Sequence, residues 1–331
     1  MFTPTRRQFI MALAASTTLS TPLLSTAQEA PKVLRIGTTA PGHIKFLLSR
    51  DQKFFDQALA RQGTKVDYLV FTGGGSEVQT ALGSGAIDVA YTGASPALRL
   101  AARSATATQF IGLSGVPLQG SVSIVVAKGS PLQSLPDLKG KKVAYLSGTI
   151  RHSVFVKALQ SKGLSLKDVE SMNMPFEASS AALARGDIDA IVETDITAAP
   201  LVNRGIARVL FDNTQHPEWE VPLLITANGE FAKKHPATLQ TLLAADKQVA
   251  QWANQHFDQA VRIFARDRKS TEDAVRKEYP DGHFNEEPRI TDQVLATLRS
   301  EASFMQEAKL LQGQVDFDRW VNKQFVETAY R

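Results

Sequence analysis

Short runs of β-branched and aliphatic residues alternate with helical patterns from residue 33 to residue 227, and no other feature limits the possible folds as strongly. The runs of strand length are Val33–Gly37, Val66–Phe71, Ala86–Tyr91, Thr108–Leu113, Val122–Ala127, Lys142–Leu146, Val169–Met172, Ala190–Glu193, Ala207–Phe211 and Val221–Ala227. Most neighbouring runs are separated by one helical segment, which is the pattern of βαβ units with parallel strands. The sequence therefore predicts an α/β fold.

The pattern changes after residue 227, where the apolar residues recur with a helical period. One predicted helical face carries Leu239, Leu242, Leu243, Val249, Ala253, Phe257, Val261 and Phe264. The segments Ile290–Leu311 and Phe317–Thr328 also have helical patterns. We therefore expect an entirely helical C-terminus.

A weak internal repeat indicates two similarly built lobes. The segment Gly85-Ala86-Ile87-Asp88-Val89-Ala90 recurs as Gly186-Asp187-Ile188-Asp189-Ala190-Ile191, at an offset of 101 residues. In each copy we expect a helix to end at the glycine, which tolerates a left-handed conformation. A strand is expected to start just after the shared aspartate, Asp88 or Asp189.

The length of 331 residues also favours two domains. We expect lobe 1 to comprise residues 31–118 and 223–331, and lobe 2 to comprise residues 119–222. The hinges would be Gly115–Ser121 and Glu218–Pro222, since prolines and glycines punctuate both segments.

The first residues have the pattern of an export signal. Arg6 and Arg7 precede Phe9 and a mildly apolar stretch that runs to Leu24, and small residues follow as far as Ala27. This order of basic start, apolar middle and small-residue end predicts a signal peptide over residues 1–27, cleaved near Ala27, and hence a periplasmic protein. The arginine pair resembles a twin-arginine signal; the general secretory route stays open.

Charge and cysteine content exclude several classes of protein. The net charge is +4 with 37 basic and 33 acidic residues, and the basic residues form no dense run, so nucleic-acid binding is not expected. There is no cysteine, which rules out disulfides, thiolate metal sites, a cysteine nucleophile and a lipid-anchored cysteine.

Loops rich in Gly, Ser and Thr follow four of the predicted strands and lead into predicted helices. They are Thr38–His43, Thr72–Ser76, Thr92–Pro96 and Ser147–His152. Ligands of open α/β sheets bind beyond the carboxyl ends of the strands, and helix N-termini attract anions. Ser76 with Gln79 matches a capping box, and Ser95 is predicted to be an N-cap. The loops therefore predict an anion-binding cleft, the alternative being helices that are simply well capped.

Arg151 is the strongest single candidate, because it lies at the predicted start of a helix, where a cation is unfavourable unless an anion compensates it. A bound anion or a carboxylate, such as that of Glu193 or Asp195, would supply the compensation. Those two acids could instead bind an amine on a zwitterionic ligand. The candidate ligand-binding residues are Thr39, Gly42, His43, Gly74, Gly75, Ser76, Gly93, Ser95, Thr149, Arg151, His152, Glu193 and Asp195.

The chain from Leu34 to about Asp212 resembles the periplasmic substrate-binding proteins of ABC importers for aliphatic sulfonates, with their taurine- and nitrate-binding relatives. The matching segments are Arg35-Ile36-Gly37, Gly83–Asp88, Pro131–Ala144, Ser147–His152 and Ala182–Ala190. The resemblance implies a bilobed periplasmic-binding-protein fold of type II with two crossovers and a ligand in the interlobe cleft. It also implies an ABC permease as partner, a monomer, no cofactor and no catalysis. Nitrate, a carboxylate or a thiamine-precursor pyrimidine stay open as ligands.

Enzymatic alternatives have little support in the sequence. Desulfinating enzymes on a related fold use a cysteine nucleophile, which this chain lacks. No G-x-S-x-G nucleophile elbow occurs, and Gly73-Gly74-Gly75 is not followed by the Lys-Ser/Thr pair of a phosphate loop. The 6 histidines are scattered, and only His43 and His152 lie near the predicted cleft loops, so no metal site is expected.

Overall fold

The computed structural model describes residues 29–40, 42–115, 122–219, 221–279, 281–284 and 289–329. The strands are β1 Val33–Thr39, β2 Lys65–Phe71, β3 Val89–Gly93, β4 Thr108–Gly115, β5 Val122–Ala127, β6 Lys142–Tyr145, β7 Glu170–Asn173, β8 Ala190–Thr194, β9 Ala207–Asp212 and β10 Leu223–Asn228. The helices are α1 Ile44–Gln52, α2 Phe54–Ala60, α3 Gly74–Gly83, α4 Ala94–Arg103, α5 Ile150–Gln160, α6 Phe176–Arg185, α7 Asp195–Asn203, α8 Gly229–Lys234, α9 Pro236–Gln255, α10 Phe257–Arg268, α11 Glu272–Glu278, α12 Asp292–Glu307, α13 Phe317–Trp320 and α14 Gln324–Ala329. The predicted signal segment, residues 1–27, lies outside the described residues.

The strands form two five-stranded sheets, which define the two lobes. Lobe 1 contains the sheet β2-β1-β3-β10-β4, and lobe 2 contains the sheet β7-β6-β8-β5-β9. Every predicted strand is present, and the α/β fold and helical C-terminus are confirmed. The exact lobe boundaries stay a prediction, since residues 116–121 and Glu220, within the expected hinges, are outside the described residues.

The sheets are mixed, because each adds antiparallel strands to the parallel βαβ units that the sequence predicts. Strands joined by a helix within one lobe do pair in parallel: β1 with β2 and β3, and β6 with β7 and β8. However, β10 is antiparallel to β3 and β4, and β5 is antiparallel to β8 and β9. The reason is the crossover between lobes: β4 leaves lobe 1 where β10 returns to it, so the two adjacent strands run in opposite directions.

The two copies of the sequence repeat form the same local structure. Gly85 and Gly186 have φ values of 76° and 78°, as predicted for helix ends. The carboxylate of Asp88 accepts the N–H of Arg35 at 2.8 Å, and that of Asp189 accepts the N–H of Lys142, also at 2.8 Å. In each lobe the aspartate therefore anchors one central strand to the start of its neighbour.

Two breaks between helices are not apparent in the sequence. The helical segment between β1 and β2 is divided at Lys53, whose φ is 64°, into α1 and α2. The long C-terminal face is likewise divided at His256 between α9 and α10. The apolar period continues across the breaks, so it could not reveal them.

The C-terminal helices pack on lobe 1. Its core combines the inner face of the first sheet with apolar residues of α9, α10 and α12, such as Leu242, Val261 and Leu298. The second sheet has apolar clusters on both faces. Ile150, at the start of α5, packs against the cores of both lobes, so the lobes are in contact. Within the described ranges, no helix is both long enough and apolar enough to cross a membrane.

Candidate functional site

Three of the four loops predicted to form a cleft meet where the two lobes touch. We call this surface the seam: it joins the starts of α3 and α4 in lobe 1 to residues 146–157 in lobe 2. The Ser76 hydroxyl donates a hydrogen bond to the Gly148 carbonyl across the seam at 3.2 Å. A Cβ atom at Gly74 would lie 2.5 Å from Leu146. Because Gly74 has no side chain, the start of α3 can approach Leu146 of lobe 2 closely.

His152 presents a buried hydrogen-bond donor at the seam. Its Nδ1 accepts the N–H of Gly148 at 3.2 Å, so the neutral ring carries its proton on Nε2. Nε2 is buried and has no hydrogen-bond partner in the described part of the chain. Burial, and secondarily the charge of Arg99, lower the pKa of His152 to about 4. At neutral pH the ring is therefore an uncharged donor without an acceptor.

Arg99 supplies a cation from the opposite lobe, and no local sequence pattern indicates it. A Cβ atom at Gly148 would lie 2.7 Å from Nη1 of Arg99 and 2.7 Å from the Ser76 hydroxyl oxygen. Arg99 is partly buried, yet it forms no hydrogen bond or ion pair with any residue that the structure describes. Burial, followed by the charge of Arg103, lowers its pKa. An unpaired guanidinium therefore lies beside His152.

The N-terminus of α5 adds backbone donors to the same place. Its N-cap residue, Thr149, donates its hydroxyl to the carbonyl of Leu146 at 2.7 Å and does not cap the helix. The first N–H groups of α5 are thus without a side-chain cap, and they lie at the positive end of the helix dipole. Arg99, His152 and this helix end together form a set of donors suited to an oxyanion.

Arg151, the strongest candidate from the sequence, is bound within lobe 2. Its Nε donates to Glu193 at 2.5 Å, and the two side chains are 14% and 2% exposed. The structure thus favours the carboxylate partner over a free anion among the alternatives left open. Burial raises the pKa of Glu193 although Arg151 opposes the shift. Asp195 accepts the hydroxyl of Ser123, and burial raises its pKa to about 6.

The candidates of the first loop lie within lobe 1. His43 Nδ1 is 3.0 Å from the Ser114 hydroxyl oxygen. Burial, with the charges of Arg268 and Lys45, lowers the pKa of His43 to about 3. Beside it, buried Lys45 forms an ion pair with Asp246, a pair that the sequence analysis did not identify. No described contact brings Thr39, Gly42 or His43 to the seam.

Two predicted helix caps are wrong. The N-cap residues of α3 and α4 are Gly73 and Gly93, so Ser76 and Ser95 lie inside the helices. Ser76 turns to lobe 2, and Ser95 donates to the carboxylate of Glu301 at 3.2 Å. Gly75 packs on the first turn of α4, since its Cβ atom would lie 2.6 Å from Pro96. These serines therefore serve contacts between elements rather than local capping.

A cavity of about 650 Å³ lies beside the seam, between α5, α12 and the residues Glu218, Trp219 and Val221. Its lining contains none of the candidate ligand-binding residues predicted from the sequence. The basic residue in its wall, Lys157, is bound to Glu301 at 2.6 Å. Because Lys157 is already paired with a carboxylate, it would add little to the binding energy of an anion. This cavity is therefore a poor site for an anion.

No group of three or more His, Asp or Glu side chains in the described ranges is arranged to hold a metal ion. The seam instead presents hydrogen-bond donors and one cation, Arg99, that has no partner among the described residues.

Known proteins share both the sequence pattern and the fold. A profile described as NMT1/THI5-like matches residues 40–260. The chain belongs to this family. An Escherichia coli (strain K12) relative named as an aliphatic sulfonates-binding protein is 27% identical over 256 residues, 77% of each chain.

Solved structures confirm the periplasmic-binding-protein fold. The alkanesulfonate-binding protein SsuA of Xanthomonas axonopodis pv. citri, bound to MOPS, superposes with a TM-score of 0.76 at 22% identity, covering 88% of this chain and 99% of that one. The desulfurization enzyme DSZB superposes with a TM-score of 0.70 at 20% identity, covering 91% and 99%. The fold therefore occurs in both binding proteins and an enzyme.

Proposed function

We propose that this protein is an extracytoplasmic solute-binding protein of an ABC importer and that it captures an aliphatic sulfonate at the seam. The observation that carries the proposal is the pair of unpartnered donors on opposite sides of the seam, Arg99 in lobe 1 and His152 in lobe 2. An anion between them would satisfy both donors and would hold the lobes together.

The chemistry of the donors favours a sulfonate. Guanidinium groups bind oxyanions at two points, and a helix N-terminus favours negative charge. A sulfonate has three oxygens and stays ionised at physiological pH, so it can accept from the guanidinium, the imidazole and the α5 amides together. The named E. coli relative supports the same ligand class.

Binding without catalysis is part of the proposal. The chain has no cysteine, and the neutral His152 and the paired Arg151 leave the seam with donors rather than with an evident nucleophile. The export signal over residues 1–27 would place the protein in the periplasm, where it would act as a monomer and deliver its ligand to a membrane permease. Nitrate, carboxylates and a thiamine-precursor pyrimidine are the competing ligands.

Calorimetry on Arg99→Met tests this function. The ligands are ethanesulfonate, taurine, nitrate, acetate and a hydroxymethylpyrimidine. We expect ethanesulfonate to bind the parent protein and Arg99→Met to weaken binding by about 1.5–3 kcal/mol, the range for a hydrogen bond to a charged group.

Arg103→Met is the matched control, because Arg103 lies on the same helix one turn later and is exposed. It should bind as the parent does. Equal binding by Arg99→Met and the parent would show that the ligand does not bind at the seam. If the parent protein binds only the pyrimidine, the proposal that its ligand is an anion is wrong.

A further inference from the structure

Glu301, on α12 near the C-terminus, connects the two lobes through one carboxylate. Its Oε1 accepts the Ser95 hydroxyl of lobe 1 at 3.2 Å and the Ser153 hydroxyl of lobe 2 at 2.6 Å. Its Oε2 accepts Lys157 of lobe 2, also at 2.6 Å. The side chains of Glu301 and Lys157 are 1% and 11% exposed. A single buried anion thus receives donors from both lobes.

These contacts exist only when the lobes are together. The α12 helix packs on α4 and belongs with lobe 1, whereas Ser153 and Lys157 lie on α5 of lobe 2. If the lobes part, Glu301 keeps Ser95 and loses its cation, while Lys157 also leaves the ring of Phe304, which lies 4.7 Å away. The ion pair therefore favours the closed arrangement.

The same carboxylate sets the geometry of the proposed anion site. Ser95 lies one helical turn before Arg99 on α4, and Ser153 directly follows His152 on α5. Because Glu301 holds Ser95 and Ser153 together, it also fixes the spacing between the two unpartnered donors. We propose that Glu301 is a positioning residue, which holds the lobes closed through Lys157 and so brings Arg99 and His152 to one ligand.

Glu301 acts here through its neighbours rather than on the ligand. Its two oxygens already accept three donors, it is buried, and its negative charge would repel an anion. The positioning role for a ligand rests on the proposed function, whereas the role in closure does not.

Closure is measured first, without any ligand. The chain contains no cysteine, so spin labels at Val70→Cys in lobe 1 and Val209→Cys in lobe 2 report the distance between the lobes. These valines are 41% and 42% exposed. We expect Glu301→Gln to broaden the distance distribution and to shift it away from that of the parent. An unchanged distribution would overturn the role in closure.

Two comparisons separate this role from general destabilisation. Glu307→Gln changes an exposed residue of the same helix and should leave the distribution unchanged. Lys157→Met should reproduce the shift, and the double variant Lys157→Met/Glu301→Gln should be no worse than either single change, because both remove one interaction. Lys157→Arg, which keeps the charge, should restore most of the closed population. Additive effects of the two changes would contradict the pairing.

Ligand binding is measured second, with ethanesulfonate as the probe. Glu301→Gln should raise the apparent Kd by about tenfold, since the competent closed state is less populated. Glu301→Gln with an unchanged Kd would overturn the positioning role. If the parent does not bind ethanesulfonate at all, the proposed function fails, and the ligand-free distances still decide the role of Glu301 in closure.

Discussion

At the scale of the residue, burial shifts two ionisable groups in lobe 2 in opposite directions. It lowers the pKa of His152 to about 4 and raises that of Asp195 to about 6. In both cases the interior disfavours the charged form, which is the cation for histidine and the anion for aspartate. At neutral pH His152 is therefore uncharged, whereas Asp195 is still mainly ionised and its buried carboxylate has a free-energy cost.

Asp195→Asn should change how stability depends on pH. Folded Asp195 takes up its proton near pH 6, whereas the unfolded residue does so near 3.8, so the carboxylate destabilises the fold above pH 6 and that cost disappears as the pH falls through this window. We expect the variant to exceed the parent in free energy of unfolding by about 2 kcal/mol at pH 8 and to match it below about pH 4. Urea unfolding across this range measures the difference.

Asp318→Asn is the control for that titration, because the side chain of Asp318 is 96% exposed. Its difference from the parent should be small at every pH. A constant offset between Asp195→Asn and the parent from pH 4 to pH 8 would show that the carboxylate does not titrate as described.

At the scale of the element, the break between α1 and α2 depends on one residue. Lys53 ends α1 and begins α2 in the left-handed region, with φ 64° and ψ 28°. A side chain is disfavoured there because its Cβ approaches the backbone. Buried Phe55 packs beyond this bend, so the tertiary core maintains a conformation that the residue itself disfavours.

Lys53→Gly should therefore stabilise the protein. Relief of the left-handed strain outweighs the greater flexibility of glycine in the unfolded chain, and we expect a gain of about 0.5–1 kcal/mol in chemical unfolding. Arg61→Gly, at the other end of α2 and exposed, starts from φ −65° and should lose stability instead. Loss of stability in both variants would refute the strain at Lys53.

At the scale of the whole molecule, the lobes meet so closely at Gly148 that any side chain there would displace polar groups of the opposite lobe. Gly148 has φ 75°, and a Cβ atom there would lie 2.7 Å from both Arg99 and Ser76 of the opposite lobe. A ligand bound at the seam would have to enter before the lobes close, so the proposed function predicts a hinge movement that leaves each sheet intact.

Gly148→Ala should weaken ligand binding, because the new Cβ atom displaces the Arg99 guanidinium and the Ser76 hydroxyl, which are ends of flexible side chains. In calorimetry the Kd for ethanesulfonate should rise by about tenfold, the equivalent of about 1.4 kcal/mol. Gly186→Ala is the matched control: φ is 78°, but a Cβ atom would meet nothing within 4 Å. Both variants should lose about 1 kcal/mol of stability, and only Gly148→Ala should bind more weakly. An unchanged Kd in Gly148→Ala would contradict a ligand held beside Arg99.

The sequence by itself determined the strands, the helical C-terminus and the similar construction of the two lobes. These features follow from local patterns: strand-length apolar runs, the helical period, and the glycine and aspartate that recur in each lobe. The segments resembling sulfonate-binding proteins likewise indicated the family. Such signals depend on residues close together in the chain, so they can be read without knowing its path.

The tertiary structure decided the antiparallel strands and the partners of the polar side chains. Arg151 pairs with Glu193, 42 residues away, and Ser153 binds Glu301 at a separation of 148 residues. Arg99 is distinguished only by having no such partner among the described residues while lying beside His152. No local pattern encodes these relations, because the energy of a charge depends on which distant groups the fold brings within a few ångströms of it and on how much water it excludes.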